Sequence, residues 1–167
     1  MTMKTDYPRS GDVDIRLQPA RVESFALRLR VPAWSEATSV AVNGAPLTDV
    51  RPGAWVVVRR SWKPGDRVRL RLDLRGRILR TSDGGRRYVA VMRGPIALAR
   101  DLRLAAGEVD GPALLDPDQR GRLSLREIAR PAGVEMAFAC GQVALCDYAS
   151  AGNTWDQRSR FRTWMPA

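Results

Sequence analysis

Apolar and polar residues alternate one for one over three stretches of the first half of the chain. Val13, Ile15 and Leu17 bracket Asp14 and Arg16. Phe25, Leu27, Leu29 and Val31 bracket Ala26, Arg28 and Arg30. Val68, Leu70, Leu72 and Leu74 bracket Arg69, Arg71 and Asp73. A period of two sends every second side chain to the same side, so these stretches predict strands with one buried and one wet face. Residues 39–43 and 55–60 read as less regular strands. Residues 88–92 are apolar almost throughout and read as a strand buried on both faces.

The residues between these stretches agree with an antiparallel arrangement. Asn43-Gly44 is a hairpin signal because both residues tolerate positive φ. Lys63-Pro64-Gly65-Asp66 suits a turn in which Pro presets one central φ and Gly supplies the positive one. Short strands at this spacing, with no long helical pattern between them, predict an all-β, antiparallel, jelly-roll-like β-sandwich over residues 6–103. From 104 onward Gly107, Gly111, Pro112, Pro117 and Gly121 mark a loop-rich extension to residue 167, with a short helical turn expected before Leu123. Strands are expected to return at 134–139, 143–148 and 161–165, packing on or completing the sandwich.

Composition narrows the chemistry. A chain of 167 residues, 44% hydrophobic and 28% charged, is globular in character and long enough to bury a core without disulfides. It shows neither a bilayer-spanning apolar run nor a signal-peptide pattern, so the expectation is a chain that is not a membrane protein, cytoplasmic if Met1 is the true start. The absence of histidine removes Ser-His-Asp and Cys-His catalysis and every imidazole metal ligand. Cys140 and Cys146 are too few for a structural zinc site, so no metal and no cofactor is expected. They read as two buried small side chains, with a disulfide open to them if their segment folds as a hairpin.

The net charge is +10, and 26 of the 28 cations are arginine. Arg28 and Arg30 share one strand face, and Arg67, Arg69 and Arg71 another; on adjacent strands they would form a guanidinium patch able to grip carboxylate or phosphate. No groove-reading helix or interleaved aromatic pattern accompanies them, so nucleic acid is not the expected partner. The remaining candidates are aromatic and polar. Trp34 at a strand end and Trp62 before a turn read first as residues that close the ends of the sandwich core with the indole N–H paired to backbone, and ligand or inter-domain contact is their alternative role. Asp147, Tyr148, Asn153 and Trp155, on the polar loop after the 143–148 strand, are the others. A glycosidase needs two convergent carboxylates; Asp147, Asp156 and Glu135 are the nearest to a set, and no catalytic residue is assigned.

Five pieces of the first half occur together in a recognisable order. They are Asp6-Tyr7-Pro8 with Gly11-Asp12-Val13, then Leu27-Arg28-Leu29-Arg30-Val31-Pro32-Ala33-Trp34, then Val42-Asn43-Gly44, then Arg60-Ser61-Trp62 with Pro64-Gly65-Asp66, and Met92-Arg93-Gly94-Pro95-Ile96. Together they resemble the C-terminal β-sandwich region of glycoside hydrolase family 127, the β-L-arabinofuranosidases. The end of the chain, residues 146–153 and 161–166, is similar to that of bacterial members. The resemblance implies that catalysis belongs to a preceding (α/α)6 barrel, with a cysteine nucleophile near zinc and a glutamate acid/base. No residue of this chain maps onto that machinery. The implied role is a non-catalytic accessory domain whose partner is the catalytic barrel, with glycan contact or homo-oligomer formation as further roles. The alternatives are a free-standing carbohydrate-binding module and, behind it, an arginine-rich nucleic-acid binder.

Overall fold

The computed structural model describes residues 1–105, 109–157 and 159–167. Gly107, part of the expected loop-rich connection, lies outside the described residues. Among the described residues all the regular structure is β, and the chain divides into two compact units, Met1–Leu74 and Arg75–Ala167.

The first unit contains β1 (Thr2–Thr5), β2 (Asp12–Arg16), β3 (Glu23–Arg30), β4 (Ser39–Val42), β5 (Ala45–Pro46), β6 (Trp55–Trp62) and β7 (Arg67–Arg71). Five of them form an antiparallel sheet in the order β1-β2-β7-β4-β5, and β3 pairs with β6 alone as a two-stranded ribbon. The alternation read from the sequence decides the faces. Ile15, Val40, Val42, Val68 and Leu70 from the sheet meet Leu29, Val56 and Trp62 from the ribbon in one core, so the unit is a two-layer sandwich. Asn43 and Gly44 adopt positive φ, 51° and 88°, as the hairpin between β4 and β5 requires.

The second unit contains β8 (Gly76–Asp83), β9 (Arg86–Arg93), β10 (Ile96–Asp101), β11 (Arg122–Leu123), β12 (Arg126–Glu127), β13 (Ala137–Cys140), β14 (Val143–Asp147), β15 (Phe161–Arg162) and β16 (Met165–Pro166). Its sheet runs β11-β8-β9-β10-β14-β13-β12, with β15 and β16 pairing to β10 and β9. β9 is central, with Val89, Ala90 and Val91 all buried, as its unbroken apolar run predicted. One face packs Val91, Leu98, Phe138, Leu145 and Met165. The other packs Val134, Ala137 and Cys146.

Two expectations change, and the open question of the cysteines closes. The boundary between the compact units falls after Leu74, whereas the sequence suggested one after 103; β8–β10 pair with β11 and with β14–β16, so they belong with the C-terminal strands. The helical turn expected before Leu123 is a single reverse turn, in which Gly121 donates its amide to the Asp118 carbonyl at 2.9 Å, leading into the short strands β11 and β12. Cys140 and Cys146 do sit on a hairpin, yet Cys140 faces Val143 and Cys146 faces Ala137, on opposite sides of it, and both thiols are free.

Candidate functional site

Asp147 ends β14 and starts the loop that the sequence singled out. Its carboxylate accepts the Met136 amide at 2.8 Å, the Ser150 amide at 3.0 Å and the Ser150 hydroxyl at 2.8 Å. Ser150 Oγ in turn accepts the Glu135 amide at 3.0 Å. With 3% of its surface exposed, Asp147 organises a turn, and its place among the contact candidates is corrected on that ground.

Beneath the same loop lies a charge that the sequence reading missed. Asp101, fully buried at the end of β10, accepts Arg103 Nε and Nη2 at 2.8 Å each and the Arg103 and Gly152 amides at 2.9 and 2.8 Å. Arg103 reaches on to the Ser150 carbonyl at 2.7 Å and to Asn153 Oδ1 at 2.8 Å. Asn153 Nδ2 donates to the Gly133 carbonyl at 2.8 Å, so this side chain is a link in the loop's scaffold rather than a free contact. Burial pushes the Asp101 carboxyl upward, but the Arg103 guanidinium and the two amides outweigh it and hold it below the ordinary carboxylate range. The only sequence signal was the spacing Asp-Leu-Arg at a strand end, which many surface strands share.

The scaffold presents aromatic residues. Tyr148 donates its amide to Ala97 O at 2.9 Å, and its ring meets Phe161 edge-on at 5.9 Å. Tyr148, Phe161 and Trp164 stay roughly half exposed around an open depression of about 580 Å³ that Ala97, Arg162 and Thr163 complete. Arg162 and Arg160 both bond to the Asp110 carboxylate, which the Arg162 hydrogen bond holds below its ordinary pKa. Trp155, on the same loop, is 90% exposed with φ +54°.

In the first unit the two tryptophan candidates separate. Trp62 is fully buried, stacked on Phe25, and donates its indole N–H to the Phe25 carbonyl at 3.1 Å. It is core, the reading that the sequence favoured over contact: the last inward position of β6 closes the end of the sandwich. Trp34, in a turn after β3, is half-buried.

The two arginine rows also separate. Arg67, Arg69 and Arg71 lie on β7 in the five-stranded sheet beside Asp12 and Asp14, while Arg28 and Arg30 lie on the ribbon, so they form no common patch.

The arrangement offers little to a reaction. Burial first, then the Asp101 and Asp147 charges, push the Cys146 thiol up to about 12, and burial raises Cys140 as well, so both stay protonated at neutral pH and are poor nucleophiles. Among the described residues no three His, Cys, Asp or Glu side chains gather closely enough to hold a metal ion.

Residues 1–74 match the family model described as beta-L-arabinofuranosidase, GH127 middle domain, which bears out the resemblance read from the sequence over that span. Among solved structures, a glycoside hydrolase superposes with a TM-score of 0.72 at 23% identity, covering 98% of this chain and 31% of its own. A GH127 beta-L-arabinofuranosidase from Geobacillus stearothermophilus T6 gives 0.64 at 21%, covering 98% and 30%. A GH127 beta-arabinofuranosidase gives 0.66 at 20%, covering 98% and 31%. These likenesses show the shared fold, and this chain spans just under a third of each of those proteins. No curated protein matches the chain.

Proposed function

We propose that this chain, GH127-like over residues 1–74, is a non-catalytic β-region of a glycoside hydrolase and supports a catalytic barrel that lies outside residues 1–167. The observation that carries this reading is the coverage: 98% of the chain aligns with only 30–31% of three glycoside hydrolases, two of them GH127 arabinofuranosidases. The side-chain chemistry supports it. The two buried carboxylates of the second unit hold backbone amides and a guanidinium, and both thiols are buried and protonated.

The contact surface we assign to that role in the second unit is the aromatic loop, with Tyr148 and Trp155 exposed and Asp147 and Asn153 fixing its shape; in the first unit Trp34 and residues 6–12 are separate contact candidates. Interfaces between domains of one enzyme commonly bury on the order of 600–1,500 Å², and exposed Tyr and Trp are favoured at such contacts. The half-exposed rings of Tyr148, Phe161 and Trp164 also suit the flat apolar face of a sugar, so glycan contact is a second role of the same patch.

The test has two arms. The purified chain is expected to hydrolyse no arylarabinofuranoside; turnover that disappears in Asp147→Asn or Asp156→Asn would overturn the reading. Co-expressed with the catalytic barrel of its own enzyme, the chain is expected to co-purify. Tyr148→Ala with Trp155→Ala is expected to weaken that association while leaving the circular dichroism unchanged.

A further inference from the structure

We propose that the outer edge of β3 binds an extended, acidic polypeptide segment from outside residues 1–167, added as a third strand to the β3–β6 ribbon. The proposal stands on the ribbon alone and does not depend on the accessory role proposed above.

β3 and β6 pair without a bulge from Glu23↔Trp62 to Arg30↔Trp55, eight residues each, and neither has a second neighbour in its sheet. The far edge of β3 therefore carries a row of unpaired backbone N–H and C=O groups, the usual template for an incoming strand. No proline interrupts it. Its outward side chains are Ser24, Ala26, Arg28 and Arg30, all exposed, and the first two are small enough to admit a neighbour.

Charge says what kind of strand fits. On the five-stranded sheet of the same unit, Arg67 and Arg69 pair with Asp14 and Arg71 with Asp12, so carboxylates stand among the cations of that exterior. On the ribbon, Arg28 lies opposite Val57 and Arg30 opposite Trp55, whose ring is 6.0 Å from the Arg30 guanidinium. The next outward position of β6 is Arg59, opposite Ala26. None of the outward positions of β3 and β6 is Asp or Glu. Alternate residues of a strand repeat at about 6.8 Å, so a segment with acidic residues at every second position sets its carboxylates beside Arg28 and Arg30 while its backbone completes the ladder. A polyuronate or a nucleic acid would satisfy the guanidiniums and leave the edge unpaired. A second copy of β3 would bring four arginines onto one face with no carboxylate between them, which cross-strand energetics disfavour.

The experiment titrates the ¹⁵N-labelled chain with a capped eight-residue peptide alternating Glu and Thr, and with its isomer in which all Glu precede all Thr. Oligogalacturonate and a DNA oligonucleotide complete the panel. The alternating peptide is expected to shift the amides of residues 23–30 and slow their hydrogen exchange, and to bind about tenfold more tightly than the block isomer. Arg28→Glu with Arg30→Glu is expected to abolish binding, and the charge-matched Arg80→Glu with Arg86→Glu to retain it. Equal binding of the block isomer, protection elsewhere, tighter binding of oligogalacturonate or DNA at this face, or self-association through β3 would each overturn the proposal. Circular dichroism of both double variants separates lost binding from lost fold.

Discussion

Trp62 and the Asp101–Arg103 pair show how far a single residue's role depends on what surrounds it. Beside Pro64-Gly65-Asp66 in sequence, Trp62 looks like a tryptophan at a turn; in the fold its indole is sealed against Phe25 with its N–H paired. Truncating a buried aromatic to alanine costs about 3–5 kcal/mol. Trp62→Ala is therefore expected to lose stability of that order in urea unfolding, whereas the 90%-exposed Trp155→Ala is expected to change the midpoint little. Asp101 is fully buried and bonded to Arg103, and removing one partner of a buried pair costs about 3–5 kcal/mol. Asp101→Asn is expected to be as damaging as Trp62→Ala, and a calorimetric scan measures it. The pair also carries a pH dependence. Its native carboxyl titrates below the unfolded one, so its contribution is complete above the unfolded value of about 4 and is lost as pH falls through the lowered native value.

At the scale of the element, the loop after β14 is shaped by contacts distant in sequence. Gly152 has φ +65°, donates its amide to Asp101, and lies so close to β15 that an added Cβ would stand 2.5 Å from the Phe161 ring. Gly152→Ala combines overpacking with left-handed backbone strain, and overpacking alone costs about 1–3 kcal/mol. The variant is expected to lose stability in that range and to separate the Tyr148 and Phe161 rings, seen as lost ring-to-ring nuclear Overhauser effects. The β4–β5 hairpin makes the contrasting case, because its sequence signal was local. Asn43-Gly44 already told of the turn, and the structure adds that Asn43 Nδ2 donates to Asp66 at 2.8 Å while its Oδ1 accepts the Arg67 amide at 2.8 Å. β8 left no such signal. Its second half is exposed on both faces, so no alternation betrays it, and pairing along the whole of β9 is what makes it a strand.

For the whole molecule the dominant quantity is charge. The carboxyls of Asp12, Asp14, Asp66, Asp101, Asp110 and Asp118 are all held below their ordinary values by guanidinium or amide hydrogen bonds. Groups lowered in the native state stabilise it above their unfolded pKa and withdraw that stability as they protonate. Acid also raises the net positive charge of a chain that is already +10 at neutrality. Stability is therefore expected to be level from neutrality down to about pH 5 and to fall steeply below about pH 4, and urea midpoints measured against pH check it. An unchanged midpoint at pH 3 would contradict this account.

The sequence by itself determined the local half of this protein: the strands with strict alternation, the central apolar strand β9, the Asn43-Gly44 turn, the all-β class and the GH127 resemblance over the first unit. Each is written in neighbouring residues, because a period of two or a demand for positive φ is a property of a few consecutive positions. Which strands share a sheet, and so the division after Leu74, was decided only in three dimensions. The same holds for the opposite faces of Cys140 and Cys146, the anchoring of the aromatic loop on Asp101 and Arg103, and the placing of the two arginine rows on separate sheets. These depend on pairing between residues far apart in the chain. A strand's hydrophobic pattern says that one face is buried, but it does not say against what.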